Sequence, residues 1–380
     1  MDIDKIRNDI DGIDTQIIDL FKQRMEKALD VARFKKEHGL PVHDTARERQ
    51  LLHKVSEEAG EDFEIYTRVL FSTLMDLSRS YQHKFLTDES PLRSLVTKAI
   101  AETPALFPTK ATVACQGVEG AYSQLASDKF FAVPNIMYFS SFEGVFKAVQ
   151  NGLCRYGVLP IENSTAGSVN KIYDLIQRYN VNIVRTARLQ IEHTLLTKKS
   201  KKLSDVREIF SHEHAIAQCA GFLETLKGVK ITPCENTAIA AQRVAESDRD
   251  DVAAISSRQC ADQYGLDVCV DHIQDSDANY TRFICISKNL EVYPGADRTS
   301  MMVVIPHKPG SLYSVLVRFY ALGISLVKLE SRPIPGSNFE FMFYFDIEAS
   351  VYSPALLQIL CELETQTSEF RYLGSYNEIN

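Results

Sequence analysis

No stretch of the 380-residue chain is apolar for long enough to serve as a signal h-region or a membrane span, and the N-terminal Met1-Asp2-Ile3-Asp4-Lys5 is acidic. A soluble cytoplasmic protein is expected. Long blocks of like charge are missing as well: 42 Lys+Arg stand against 50 Asp+Glu, a net −8 spread along the chain. Neither nucleic acid nor a polybasic membrane surface is therefore an expected partner. No low-complexity tract points to disorder. None of the 8 cysteines stands in a C-x-x-C pair, and most fall inside apolar segments, as buried free thiols do. Disulfides and structural zinc are thereby disfavoured. The 9 histidines form no H-E-x-x-H; His212-Glu213-His214 is their single cluster, and neither metal nor cofactor is expected. A P-loop, a Rossmann fingerprint with its distal acid, a Ser/His/Asp order and internal repeats are also absent. What remains, 45% apolar and 24% charged, is ordinary globular sequence, long enough for two to four domains.

Three blocks follow one another. Residues 1–86 hold no cysteine, Pro41 as their one proline, and apolar residues at helical spacing. Ile3, Ile6, Ile10, Ile13, Ile17 and Leu20 mark the seam of a helix running to about His38, where Gly39-Leu40-Pro41 stops it. A second helix opens at Asp44 or Thr45, and a third runs from about Asp62 to Phe85. A first helix of about 36 residues is roughly 50 Å long, too long for this block to cover alone, so an intertwined homodimer is expected, alone or paired into a homotetramer. Residues 87–110, with Ser90-Pro91, Thr103-Pro104 and Phe107-Pro108, read as a linker with one short helix. In residues 111–290 β-branched runs alternate with helical ones, which predicts α/β architecture with largely parallel sheets whose ligands sit after the strands. The strands are expected at Thr112–Cys115, Ile136–Phe139, Tyr156–Ile161, Val181–Thr186, Ile209–Phe210, Val252–Ile255 and Phe283–Ser287. Residues 298–380 read as βαββαβ, the ferredoxin-like α+β plan, with its third strand over Phe339–Ile347.

In the helical block the apolar seam runs on into Arg24 and Lys35, and a buried cation without a local acid is costly. Glu48 joins the apolar stripe of the second helix beside Arg47, and Ser78 and Gln82 stand one turn apart on the third. With Arg7, this makes a set of cations, one carboxyl and two neutral hydrogen-bonding groups that suits a small dicarboxylate. On these residues the block resembles the all-helical, dimeric chorismate mutases of the bacterial type. The resemblance implies chorismate contacts at Arg7, Arg24, Lys35, Asp44, Arg47, Glu48, Ser78 and Gln82. The reaction is a pericyclic rearrangement to prephenate, helped by holding the compact conformer and by Lys35, with Glu48 in a protonated form, at the ether oxygen. A raised Glu48 pKa is what that second role requires.

In the α/β block Gly117-Val118-Glu119-Gly120-Ala121-Tyr122-Ser123 follows the first strand. Glu162-Asn163-Ser164-Thr165-Ala166-Gly167 follows another, and Ser211-His212 with Gln218, Asn236-Thr237 and Asn279-Tyr280-Thr281-Arg282-Phe283 complete the set. In this order the motifs resemble prephenate dehydratase, which implies two α/β lobes around a cleft, as in periplasmic binding proteins, and loss of carbon dioxide and the ring hydroxyl from prephenate to give phenylpyruvate. Such a site must hydrogen-bond the leaving hydroxyl and leave the ring carboxylate poorly solvated. Thr281 is the expected donor, with Glu162 a candidate acid. Asn163, Ser164, Thr165, Ser211, Gln218 and Phe283 would position substrate; Arg282 would hold a substrate carboxylate or serve a structural ion pair.

The last block, with Pro309-Gly310-Ser311-Leu312 and Glu330-Ser331-Arg332-Pro333, resembles the ACT-type regulatory domain of these enzymes and implies phenylalanine as an effector bound by those eight residues. Taken together the blocks resemble the bifunctional chorismate mutase/prephenate dehydratases of phenylalanine biosynthesis. Two other readings stay open: a non-catalytic binding or sensor protein for an aromatic acid, and an enzyme that keeps one of the two activities.

Overall fold

The computed structural model describes residues 2–40, 44–86, 90–334 and 341–379. Pro41 of the expected helix stop, Thr87 of the expected linker and the Phe339 start of an expected strand lie outside them. The chain forms two compact units: Met1–Leu95 with Ile305–Ile324 and Ser353–Phe370, and Val96–Val304 with Ser325–Tyr352 and Arg371–Asn380.

In the first unit α1 (Ile3–Glu37), α2 (Thr45–Ala59) and α3 (Glu64–Leu86) follow the expected seams. Gly39, at φ +63°, takes the left-handed position after α1, and the amide of Leu40 donates back to Lys35 O at 2.9 Å. Asp44 caps α2, its carboxylate accepting from Arg47 N at 3.0 Å. Met25, Ala28 and Ala32 of α1 are buried with Val55 and Met75. The first half of α1 is not covered: Ile3, Ile10, Ile13, Ile17 and Leu20 are 50–64% exposed. The expected linker carries one helix, α4 (Pro91–Glu102). The same unit takes in α12 (Ser311–Ala321) and α13 (Pro354–Gln366).

The second unit is built on three sheets. The strands are β1 (Lys110–Gln116), β2 (Val133–Phe139), β3 (Tyr156–Asn163), β4 (Gly167–Ser168), β5 (Asn182–Gln190), β6 (Thr194–Thr197), β7 (Glu208–His212), β8 (Lys230–Cys234), β9 (Val252–Ser256), β10 (Asp267–Val270), β11 (Tyr280–Ser287), β12 (Arg298–Val304), β13 (Ser325–Pro333), β14 (Phe341–Glu348), β15 (Glu369–Tyr376) and β16 (Glu378–Ile379). The first lobe has order β16-β5-β11-β3-β1-β2 with β4 on β3; the second has β10-β6-β9-β7-β8. The helices between these strands are α5 (Tyr122–Phe130), α6 (Phe142–Gln150), α7 (Asn170–Arg178), α8 (Glu213–Gln218), α9 (Ala220–Glu224), α10 (Thr237–Glu246) and α11 (Gln259–Tyr264).

Largely parallel sheets were expected, and both are mixed. β1, β2 and β3 run parallel, but β11 lies antiparallel between β3 and β5. In the other lobe β7, β8 and β9 run parallel while β6 lies antiparallel between β9 and β10. The cause is the insertion of the second lobe between β5 and β11. β3 ends at the hinge with Asn163, whereas β11 begins there on its way back, so the two must pair antiparallel.

Residues 298–376 follow the order βαββαβ, and their strands form one sheet in the ferredoxin-like order β13-β14-β12-β15. This sheet shares a core with the first lobe: Met302, Met342, Tyr344 and Leu373 pack in one cluster with Ile172, Ile176, Ile183 and Ile284. Gly374 permits the approach, since a Cβ there would stand 2.2 Å from Ile183 O.

Candidate functional sites

In the helical unit Arg24 reaches from α1 to α3, its Nη1 donating to Leu74 O at 3.1 Å and to the Ser78 hydroxyl. Partial burial pulls the Arg24 guanidinium below its ordinary pKa. Ser78 and Gln82 are buried, and Gln82 Oε1 has no hydrogen-bond partner among the described residues. Glu48 accepts from Arg79 Nη1, whose other nitrogen meets Asp76. The expectation for Glu48 was a donor toward substrate; here its carboxylate serves as an acceptor for a guanidinium. Lys35 is half-buried in the last turn of α1, while Asp44 and Arg47 are exposed. Arg7 does not join them: it sits exposed at the start of the second turn, 3.4 Å from Asp4, and the 17 residues to Arg24 span about 25 Å of helix. Arg79 escaped the sequence reading because it lies off the apolar seam.

The second site lies where the two lobes of the larger unit meet. Asn163, ending β3, pairs with Thr281, opening β11. Its Nδ2 donates to Thr281 Oγ1 at 2.9 Å and to Asn279 Oδ1 at 2.8 Å. Its Oδ1 closes the following turn, accepting from Thr165 N, Thr165 Oγ1 and Ala166 N. From the second lobe Gln218 Nε2 donates to Thr165 Oγ1 at 2.9 Å, and Gln218 Oε1 accepts from Asn279 Nδ2 at 3.0 Å. His193, buried in the hinge, completes the chain with Nε2 2.8 Å from the same oxygen. Burial lowers its pKa, favouring the neutral ring. Sequence reading missed His193, a lone histidine before an apolar strand with no spacing signal. Ser164 braces the hinge, donating to Ala278 O and accepting from Tyr280 N.

The glycine loop docks across the lobes. Gly120 O accepts from Ser257 and Cys260 next to and within α11, and Tyr122 OH donates to Glu192 O. Gly120, at φ +87°, has no room for a side chain, since a Cβ would stand 2.8 Å from Cys260 Sγ. Asn236 caps α10 through Ile239 N, and His212 caps α8 through His214 N.

Two expected contacts, Phe283 and Ser211, are core residues, while Glu162 and Arg282 line a cavity with Asn163, Ser164 and Tyr280 and are held there in ion pairs. Phe283 is in the core beneath the first sheet, because strand alternation turns it to the face opposite Arg282. Ser211 is fully buried and donates to Ile255 O, tying β7 to β9. Arg282 is 3% exposed and paired with Glu162, at 2.8 Å, and with Asp346. Burial opposes its charge, but Asp346 first, then Tyr376, Tyr344 and Glu162, outweigh burial and raise its pKa. Of the two readings left open for Arg282, the ion pair is the one present. Glu162 also meets Lys328 at 3.1 Å, so two cations hold the candidate acid.

Residues 113–291 match the prephenate dehydratase family, and residues 6–83 the chorismate mutase type II family. The bifunctional chorismate mutase/prephenate dehydratase of Enterobacter agglomerans is 30% identical over 388 residues, covering 99% of this chain and 96% of its own. The chain belongs to the bifunctional chorismate mutase/prephenate dehydratase family. It is an enzyme of phenylalanine biosynthesis with both activities. The chloroplastic arogenate dehydratase/prephenate dehydratase 1 of Arabidopsis thaliana is 36% identical over 285 residues, covering 70% of this chain and 72% of its own. The prephenate dehydratase of Arthrobacter aurescens in complex with L-Phe superposes with a TM-score of 0.65 at 29% identity, covering 70% of this chain and 89% of that one.

In this bifunctional enzyme the residues expected to hold an effector fall in both units. Pro309, Gly310, Ser311 and Leu312 lie in the first, with Gly310 at φ +85° just before α12. Glu330, Ser331, Arg332 and Pro333 lie on β13 in the second. Glu330 accepts from Ser168 Oγ at 2.6 Å and pairs with Lys328 of its own strand at 3.6 Å, while Arg332 binds both carboxylate oxygens of Asp174 on α7.

Proposed function

We propose that residues 1–86 carry the mutase reaction, residues 111–290 the dehydratase reaction, and residues 298–380 an ACT-type domain through which phenylalanine inhibits the enzyme in the cytoplasm. Chorismate is held by Arg24, Lys35, Ser78 and Gln82, with Asp44, Arg47 and Glu48 beside them. The unpartnered Gln82 oxygen supports this reading, because a buried acceptor without a donor is costly until a ligand supplies one. Arg7 comes from a second copy of the chain, whose α1 covers the exposed isoleucine seam; the distance along the helix and that exposure support a homodimer. No step of either reaction calls for a metal or cofactor.

The observation that carries the dehydratase assignment is the Asn163 amide on Thr281 Oγ1. Since Asn163 donates into that oxygen, the hydroxyl proton of Thr281 is free to point at the leaving hydroxyl of prephenate. As the ring C–OH bond breaks, the hydroxyl leaves with that bond's electron pair, takes the proton offered by Thr281 and departs as water, Thr281 regaining its proton from solvent; the carboxylate C–C bond releases carbon dioxide and its electron pair enters the ring. Asn163, Ser164, Thr165 and Gln218 shape the cleft, and Glu162 acts from the Arg282 side as an ion-pair partner. That a relative crystallises with L-Phe supports phenylalanine as the effector.

Chorismate alone, given to the purified chain, is expected to yield phenylpyruvate on chromatography, and added phenylalanine to reduce that yield. Accumulating prephenate would sink the dehydratase assignment, untouched chorismate both, and an unchanged yield with phenylalanine the regulatory one.

A further inference from the structure

The strand that bears Thr281 is tied to the C-terminal sheet by a buried charge pair. Arg282 follows Thr281, and its Nη1 donates to Oδ2 of Asp346 on β14. Asp346 is fully buried and cannot turn: its Oδ1 accepts from Tyr376 OH at 3.1 Å and from Ser300 Oγ at 3.3 Å, while Tyr344 OH donates to the same serine at 3.0 Å. Burial of an ion pair is a weak source of net stability, because desolvation offsets most of the attraction. Its strength is in fixing direction.

Direction matters most on the β3 side of β11, where Asn163 stands. There the pairing slips between Arg282 and Phe283 because β3 carries an extra residue, Ile161, while the pairing of β11 with β5 runs unbroken from Tyr280 to Cys285; the ladder to β3 alone therefore does not fix how Thr281 faces Asn163. Arg282 Nη2 and Nε make no aligned hydrogen bond, and Nε meets Glu162 as a charge contact only. The Nη1 bond to Asp346 is thus the directional tie on the residue next to Thr281.

We propose that Asp346 is a positioning residue for the dehydratase reaction, holding the Thr281 hydroxyl on Asn163 through Arg282. The dehydratase site therefore takes a determinant from the C-terminal sheet. This rests on the reading of Thr281 given above.

The test uses the full-length chain, with mutase turnover as an internal reference. Asp346→Asn is expected to lower dehydratase kcat about 10- to 100-fold, as an error of about 1 Å in placement does. KM should stay within about twofold and mutase kcat should not change. The double variant R282M/D346L replaces the pair by apolar residues that keep the fold, and the kcat loss is expected to persist in it at a temperature below its measured melting point. A double variant with wild-type kcat would make the pair merely structural and overturn the proposal. So would an Asp346→Asn enzyme that gains KM and keeps kcat, which would put the pair against substrate. Thr281→Ala separates the two layers of argument: full turnover there removes the reading of Thr281 itself, whereas an inactive Thr281→Ala beside a fully active Asp346→Asn removes only the role of Asp346.

Discussion

The Asn163 side-chain amide stands between Thr281 and Thr165, giving a proton to one hydroxyl oxygen and receiving one from the other. An amide can do both where a carboxylate can only accept, and the order of bonds leaves the Thr281 proton unspent. Asn163→Asp keeps the shape and the acceptor but loses the donor, so the Thr281 hydroxyl turns to donate into the new carboxylate. Dehydratase kcat is expected to fall about 10²-fold, the scale for losing one oriented hydrogen bond at a reacting centre. Mutase turnover of the same preparation should not change. A dehydratase kcat equal to wild type would remove the amide from the mechanism.

A second expectation concerns α1. Ile13 and Ile17 lie half-exposed on its uncovered seam. A charge there opposes burial against a second copy and costs a lone chain little. The variant I13E/I17E is expected to sediment as a lighter species, lose mutase activity by more than about 10-fold and retain the dehydratase. Unchanged sedimentation would end the dimer reading.

A third concerns acid. Glu208 on β7 accepts from Thr232 Oγ1 at 2.7 Å, Lys230 Nζ at 2.9 Å and Arg249 Nη1 at 2.6 Å. These bonds to its charged form hold its pKa down to about 2, against 4.5 in a free chain. The unfolded chain takes up the proton first as pH falls, so the contribution of Glu208 to stability is complete above about 4.5 and fades toward about 2. The denaturation midpoints of wild type and Glu208→Gln should therefore converge as pH drops through that window. A gap that stays constant from neutral to acid pH would contradict this account.

What could be read from sequence had a local cause. The α1 seam, the Asp44 cap and the glycine after α1 each act within one or two turns, and the structure keeps all three. The strands of the first lobe were legible as β-branched runs. β6 was not, being a four-residue run without alternation because both its faces are buried. Nor was β8, whose Pro233 argues against a strand; it is tolerated because β8 is the edge of its sheet. In the site, Asn163, Thr165, Gln218 and Thr281 stand in one hydrogen-bond chain, since each lies at or beside a strand or helix end. Phe283 and Ser211 look alike in sequence and point elsewhere, because alternation along the strand decides which face a residue takes. The partners of Arg282 and Glu48 lie on other elements, and no local pattern announces a charge met 64 or 31 residues away.

The insertion of the second lobe between β5 and β11 also governs how the protein is made. Thr281 leaves the ribosome 118 residues after Asn163, a delay of roughly 6 to 24 seconds at about 5–20 residues per second. During that time β3 has no neighbour on the side that β11 will occupy, and the nascent first sheet presents an open edge able to pair with another chain. The second lobe, whose strands β6 to β10 are contiguous, can close within that interval. Synthesis thus favours a half-built enzyme in which the inserted lobe folds before the sheet that carries it, and the cleft comes into being only when β11 arrives.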